Sequence, residues 1–178
     1  MSWPRSLWPR SLWPRSSQPR SFQLGDLRSL LSPASIAQRY RDWRYGTFDP
    51  QAQLGKRGEQ VAAIELRRKG LRVIAESESD RAGEIDLIAM DVRRRIMVFV
   101  EVKTLATRRP GHPADRVDEN KQARISRAAL RYLKRKKLVG TACRFDVVAV
   151  WWPTDEPLPI RIEHYEAAFE STIEYSFY

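Results

Sequence analysis

Hydrophobic and polar residues recur with the spacing of regular secondary structure from residue 54 onward. Stretches with helical periodicity and short β-branched runs follow one another in the order α-β-β-β-α-β. The helices are predicted at 55–69 and 117–137, and the strands at 71–76, 84–90, 96–103 and 144–152. Polar turns or loops are predicted at 77–83, 91–95 and 104–116. This order predicts an α/β fold with a mixed central sheet flanked by helices.

The strand predicted at 96–103 is almost wholly apolar until Glu101, which is typical of a central strand buried on both faces. Side chains alternate along a strand, so Phe99, Glu101 and Lys103 share one face. A carboxylate and an ammonium group at the end of a buried strand are costly unless they are paired or bound to a ligand. This strand therefore carries a candidate functional pair.

The N-terminal residues 1–25 consist mostly of a five-residue repeat that begins as Trp-Pro-Arg-Ser-Leu. Recurring proline forbids a continuous helix, and a period of five matches neither a helix nor a strand. We expect a disordered extension here. Arginine beside tryptophan could contact nucleic acid by charge and stacking. The Arg and Ser bias also suits an organellar transit peptide, but the prolines forbid its amphipathic helix.

The segments on either side of the regular region have their own character. Residues 26–49 are predicted to form a short amphipathic helix followed by a linker. Residues 153–178 form an acidic C-terminal extension that could pack on the main domain. Within this extension, residues 160–169 are expected to add a last strand, or a strand with a helical turn.

Charge is distributed unevenly along the 178 residues, whose formal net charge is +10. Residues 1–50 carry +5, residues 51–152 carry +10 and residues 153–178 carry −5. The basic surplus favours an anionic partner. A single cysteine and two histidines exclude an internal disulfide and make a Cys/His zinc site unlikely. The longest apolar run has six residues, against ~20 for a membrane helix, so we expect a cytoplasmic protein with no membrane partner.

Three carboxylates are expected to converge at one end of the sheet. Asp86 interrupts the strand at 84–90, and a hairpin through 91–95 would bring it near Glu101. Glu59 belongs to the helix face that is expected to pack on the sheet. The cluster of Asp86, Glu101 and Glu59, with Lys103 beside it, is the candidate catalytic site.

This set of residues has a defined chemistry. Asp86 and Glu101 can hold Mg²⁺ or Mn²⁺, because hard divalent cations take oxygen ligands; the Val102 carbonyl and Glu59 are further candidate ligands. The cation would polarise a phosphodiester, and Lys103 could orient a water or stabilise charge on the phosphate. The alternative is a structural salt-bridge cluster of Asp86 and Glu101 with Lys103.

Basic and polar residues near the expected cleft are candidate contacts to nucleic acid. They are Lys121, Gln122, Arg124, Arg127 and Arg131 on the second helix, and Arg108 and Arg109 on the preceding loop. The basic residues at 134–137 suit a helix C-terminus electrostatically, which favours a solvated role for them. Asp146 is expected to pair with Arg144 or another neighbour.

Five stretches in one order resemble the YraN family. They are GKRGE at 55–59, GEIDLI at 83–88, VFVEVKT at 98–104, Lys121 and RFDVV at 144–148. This uncharacterised family is similar to the PD-(D/E)xK nuclease superfamily, close to Holliday junction resolvases. The resemblance covers roughly residues 50–152, and the proline of the superfamily motif is replaced by Ile85.

The resemblance implies a nuclease-like domain at 50–152 with a restriction-endonuclease-like core. It also implies that Glu59, Asp86, Glu101 and Lys103 occupy active-site positions. The expected function is a metal-dependent endonuclease. Its expected substrate is DNA rather than RNA, with branched or damaged DNA left open, and a homodimer is an open alternative to a monomer. A second reading is a non-catalytic nucleic-acid-binding protein that retains the fold.

Overall fold

Two helices and a five-stranded sheet make up the part of the chain that the structure describes. The computed structural model describes residues 48–80, 83–108 and 117–173. In chain order the elements are α1 (Leu54–Arg68), β1 (Arg72–Asp80), β2 (Gly83–Asp91), β3 (Ile96–Leu105), α2 (Glu119–Lys136), β4 (Cys143–Trp151) and β5 (Arg161–Phe169). The predicted α/β class is confirmed.

The strands lie side by side in the order β1-β2-β3-β4-β5. Neighbouring strands are antiparallel except β3 and β4, which are parallel. A parallel pair needs a long crossover connection, and α2 lies in that connection. The result is the predicted mixed sheet with β3 at its centre, which explains why β3 is apolar along most of its length.

Helices cover both faces of the sheet. The buried side chains of α1 include Val61, Ala62, Ala63 and Leu66. They share a core cluster with Val98 and Val100 of β3. Phe99 points the other way and meets Tyr132 of α2 edge-on, with ring centroids 6.1 Å apart. Because side chains alternate, Glu101 falls on the α2 face with Phe99.

Two boundaries differ from those predicted. The polar turn expected at 77–83 is wrong for 77–80, because β1 continues and pairs with β2 as far as Asp80↔Gly83. Strand β3 continues to Leu105 beside Trp151, so the loop predicted at 104–116 begins later. In both places strand pairing outweighs the local polar composition.

The acidic C-terminal segment contributes to the sheet. Residues 161–169 form β5, which pairs antiparallel with β4 from Trp151↔Arg161 to Phe145↔Phe169. The predictions for residues 1–25, and for all but the last two residues of 26–49, lie outside the described residues. In the described ranges, no helix combines the length and apolar character needed to cross a membrane.

Gly58 allows α1 to lie close against β3. A β-carbon at position 58 would overlap Thr104 Oγ1 and would lie 3.1 Å from Thr104 Cβ and 3.2 Å from its Cγ2. Rotating the Thr104 side chain cannot relieve all three contacts, since Cβ does not move with the rotation. The next residue of α1 is Glu59, so the same close approach holds the backbone of Glu59 near β3.

Gly58→Ala is expected to destabilise the protein by about 1–3 kcal/mol, the usual cost of overpacking. Gly55→Ala in the same helix is the matched control, because a β-carbon there meets nothing within 4 Å. The control should be neutral or stabilising by up to ~1 kcal/mol through helix propensity. Urea unfolding of both variants measures the difference, and equal stabilities would contradict the close packing.

Candidate functional site

The pairing of β2 with β3 ends immediately before the two candidate carboxylates. The paired residues run from Asp91↔Ile96 to Leu87↔Val100. The next position would set Asp86 opposite Glu101. There, Asp86 Oδ2 instead accepts a hydrogen bond of 2.6 Å from the Val102 backbone N–H. A side chain thus replaces a backbone bond at this point and holds a carboxylate beside β3.

Glu101 is a buried carboxylate between two lysines, with only 3% of its side chain exposed. Its Oε1 accepts a hydrogen bond of 2.7 Å from Lys103 Nζ. Its Oε2 lies 3.0 Å from Lys121 Nζ on α2. That contact is an ion pair without hydrogen-bond geometry, because Oε2 accepts no hydrogen bond from the described residues. A buried carboxylate oxygen in this state can accept a further donor or a cation.

Asp86 carries the perturbed ionisation of the site. Burial, and then the nearby charge of Glu101, raise the pKa of Asp86 to about 7. The Val102 N–H and Lys121 act in the opposite direction, and Glu59 adds a smaller increase. A carboxyl group whose pKa is raised toward neutral pH by burial and by a nearby like charge is characteristic of functional sites.

Asp86→Asn tests this pKa through stability. The folded pKa lies above the unfolded value, so wild-type stability should fall as pH rises from about 4 to about 7 and then level off. The side-chain amide of the Asp86→Asn variant does not titrate, so it contributes no such pH dependence of stability. Between pH 5 and pH 8, the variant should therefore gain on the order of 2 kcal/mol relative to wild type.

The measurement is urea unfolding at both pH values with a chelator present. Glu76→Gln, on the exposed side of β1, is the control. If the free energies of unfolding of wild type and Asp86→Asn differ by the same amount at both pH values, the raised pKa is contradicted.

Glu59 is engaged by neighbours on its own side of the sheet. Its Oε2 accepts hydrogen bonds from Lys56 Nζ at 2.8 Å and from Ser77 Oγ at 2.9 Å. Lys56 also donates to Ser77 Oγ. Ser77 has a φ of 51°, a left-handed conformation that is strained within a strand. Sequence reasoning missed Lys56 and Ser77, although Lys56 lies three residues before Glu59 on the same helix.

The acidic cluster is smaller than the sequence predicted. Within residues 48–80, 83–108 and 117–173, no three His, Cys, Asp or Glu side chains gather as a group that could hold a metal ion. Asp86 and Glu101 come together, whereas Glu59 acts on Asp86 at longer range. The N–H and C=O of one strand residue point to the same side, so the Val102 carbonyl faces the side where its N–H meets Asp86.

The candidate metal ligands at this site are therefore all oxygen atoms: the carboxylates of Asp86 and Glu101 and the carbonyl of Val102. This chemistry fits Mg²⁺ or Mn²⁺, since hard cations prefer oxygen and Mg²⁺ keeps several of its waters. The observation that favours a cation here is Glu101 Oε2, which is buried and accepts no hydrogen bond from the described residues, although Lys121 Nζ lies 3.0 Å away as an ionic partner.

The predicted nucleic-acid contacts fall into different surroundings. Lys121 pairs with Glu101, while Gln122 Nε2 donates to the Val117 carbonyl at 2.8 Å and so braces the start of α2. Arg124 is exposed. Arg108 binds Asp155 at 2.8 Å and Glu156 at 2.7 Å, so acidic neighbours offset its charge. Arg109 lies outside the described residues.

A second buried polar cluster joins β4 to β5. Asp146 is fully buried, and its Oδ2 lies 2.7 Å from Nε2 of the buried His164 side chain. Its Oδ1 accepts from Arg144 Nε at 3.0 Å and from the Ala167 N–H at 2.9 Å. The predicted pairing of Asp146 with Arg144 is present, but His164 was not foreseen. Both oxygens are satisfied by the chain itself, so this cluster supports the sheet.

Comparison with known proteins identifies relatives that share this site region. Residues 58–150 match a family model described as "Uncharacterised protein family UPF0102". A UPF0102 protein of Rhodopirellula baltica is 75% identical over 139 residues, covering 78% of this chain and 83% of the relative. A UPF0102 protein of Chlorobaculum tepidum is 43% identical over 119 residues, covering 65% of this chain and 91% of the relative.

A third relative, from Pelotomaculum thermopropionicum, is 36% identical over 121 residues, covering 68% of this chain and 98% of the relative. It also carries the UPF0102 description. The family match begins in α1 and ends in β4, so it spans Glu59, Asp86, Glu101, Lys103 and Lys121. Strand β5 lies beyond it.

Proposed function

We propose that this chain, which belongs to the uncharacterised protein family UPF0102 (the YraN family), is a metal-dependent endonuclease that hydrolyses phosphodiester bonds of DNA. One observation carries the proposal: the buried carboxylate of Glu101 and the partly buried carboxylate of Asp86 lie beside two partly exposed lysines, Lys103 and Lys121. Carboxylates and ammonium groups in one place suit a reaction that brings together a polyanionic substrate, a divalent cation and a water molecule.

The close approach of two carboxylates is unfavourable for stability, which argues that the arrangement serves a function. Asp86 and Glu101 repel each other, and burial adds to the cost of their charge. A cluster that served only stability would be better without one of the two carboxylates. Groups held in an unfavourable state by their surroundings are frequent where chemistry is done.

Each residue has a role that follows from its position. Asp86, Glu101 and the Val102 carbonyl are the groups that would hold a divalent cation, which would stabilise charge on a phosphodiester and favour ionisation of a water. Lys103 is 27% exposed and can donate to a phosphate oxygen or to the attacking water while bound to Glu101. Lys121 is 30% exposed, and its charge helps to offset the carboxylates.

A nicking assay tests the proposal. Linear, flapped and four-way DNA are incubated with the protein in Mg²⁺, in Mn²⁺ or in chelator. We expect nicked product with either cation and none in chelator. Product that persists in chelator would contradict a metal-dependent reaction.

The alternative function is binding without cleavage. It is favoured by the ammonium groups that already neutralise Glu101. Tight binding of the DNA panel with no product in either cation would support this alternative and overturn the endonuclease proposal.

A further inference from the structure

The outer face of α2 carries a positive surface that we name the α2 basic stripe: Arg124, Arg127 and Arg131. All three residues are exposed. The inner face of the helix is buried through Ile125, Ala128, Ala129, Tyr132 and Leu133. The helix contains seven Lys or Arg residues and a single acidic one, Glu119, in its first turn. The stripe is therefore exposed to solvent, and its own helix offers almost no acidic residue to offset its charge.

The helix dipole does not explain the stripe. Lys134, Arg135 and Lys136 occupy the last turn, where positive charge is favourable. Arg124, Arg127 and Arg131 lie in the middle turns, beyond the reach of that effect. Arg124 and Arg127 are three residues apart, so two like charges are direct neighbours on the exposed face, which is unfavourable. A bound polyanion would relieve this repulsion.

The stripe leads away from the candidate catalytic site. Lys121, in the first turn of α2, lies 3.0 Å from Glu101 Oε2. Arg124, Arg127 and Arg131 follow along the helix at three- and four-residue intervals. At a rise of about 1.5 Å per residue, the distance from Lys121 to Arg131 is about 15 Å. One strand of DNA has a phosphate about every 3.4 Å along the axis, so this length matches about four phosphates.

We propose that the α2 basic stripe binds the phosphate backbone of duplex DNA on one side of the bond held at the Asp86–Glu101 site. This inference rests on the proposed function, because the Asp86–Glu101 site is where the DNA backbone would be held before it continues along the stripe. Guanidinium groups suit this task, since they bind phosphate oxygens in a bidentate manner. The partner is then a phosphodiester polymer in contact with several arginines at once.

An anionic membrane is a poorer fit to the same charges. A helix that lies on a membrane inserts an apolar face into the lipid. The apolar face of α2 is buried against the sheet. Among the described residues, the exposed large hydrophobic side chains are Val92, Val139 and Ile160, and none of them belongs to α2. The stripe therefore offers charge without an apolar anchor.

The test measures DNA binding as a function of salt. A fluorescently labelled 20-base-pair duplex is titrated in chelator with wild type and with the Arg124→Gln/Arg127→Gln/Arg131→Gln variant, and circular dichroism checks the fold. We expect at least a tenfold loss of affinity at about 50 mM salt. The slope of log affinity against log salt should fall by about 2–3, since each phosphate contact contributes about 0.9.

The matched control removes three charges from the other end of the sheet. Lys69, Arg72 and Arg93 are exposed there, near the end of α1 and the β2–β3 turn. Their replacement by glutamine should leave the slope nearly unchanged. An equal loss in both triple variants would mean a general effect of net charge and would overturn the inference, as would a wild-type protein that binds no duplex.

Cleavage and vesicle assays separate this inference from the proposed function. If wild type nicks DNA but the stripe variant keeps wild-type affinity and slope, the stripe inference fails and the endonuclease stands. If the stripe variant loses binding as expected but no substrate is cut, the inference stands and the endonuclease fails. If wild type sediments with phosphatidylglycerol vesicles more tightly than it binds DNA, the partner is a membrane and the inference is overturned.

Discussion

Replacing Lys103 by alanine is expected to lower the rate of DNA cleavage by about a hundredfold or more. Removing one preorganised donor that stabilises transition-state charge commonly costs about 10²–10³ in rate. Lys103 Nζ contacts Glu101 at 2.7 Å, and the Lys103 side chain remains 27% exposed to solvent. It can therefore reach a phosphodiester at the carboxylate pair. The measurement is single-turnover cleavage at saturating protein and Mg²⁺.

Two controls separate loss of chemistry from loss of fold or binding. Lys69→Ala removes a lysine of the same kind from the exposed end of α1 and should cleave like wild type. Glu101 keeps Lys121 as an ionic partner in Lys103→Ala, so the variant should fold and bind DNA. A variant that folds, binds and cleaves at the wild-type rate would remove Lys103 from the mechanism and point to another nuclease in the preparation.

Replacing Asp146 by alanine is expected to cost about 3–5 kcal/mol of folding free energy, the usual cost of removing one partner from a buried ionic cluster. Asp146 and the side chain of His164 are both fully buried, and Arg144 is only 11% exposed. Without the carboxylate, the Ala167 N–H also loses its acceptor. Against a typical total stability of about 5–15 kcal/mol, this loss would be large.

Urea unfolding of Asp146→Ala measures that loss. Asp146→Asn should lose less, because its oxygen can still accept from one of the neighbours. Glu170→Gln, an exposed acidic residue just after β5, is the control and should change stability by less than ~0.5 kcal/mol. A loss below ~1 kcal/mol for Asp146→Ala would mean that the cluster contributes little to the attachment of β5.

Most secondary-structure elements could be predicted from the sequence, because helical and β periodicity are local properties. The central strand is an example, since its unbroken apolar run requires burial on both faces. The extension of β1 to Asp80 could not be predicted in this way. Residues 77–80 are polar, and only their pairing with β2 makes them a strand.

The candidate site was predictable in its members but not in its contacts. Asp86, Glu101 and Lys103 stand out because charges in apolar strands are costly. Nothing local indicates that Lys121 of α2 reaches Glu101. This contact depends on how the helix docks on the sheet.

The sequence by itself determined the chemical groups of this protein: a basic chain, an α/β order of elements, and a few acids and lysines in otherwise apolar strands. The tertiary structure decided which of these groups meet. It ends the β2–β3 pairing at Leu87 and Val100, joins Asp86 to the Val102 N–H, and ties Glu59 to Lys56 and Ser77 instead of to the carboxylate pair. The reason is physical: periodicity and side-chain chemistry are carried by neighbouring residues, whereas strand register and helix docking join residues that are far apart in the chain.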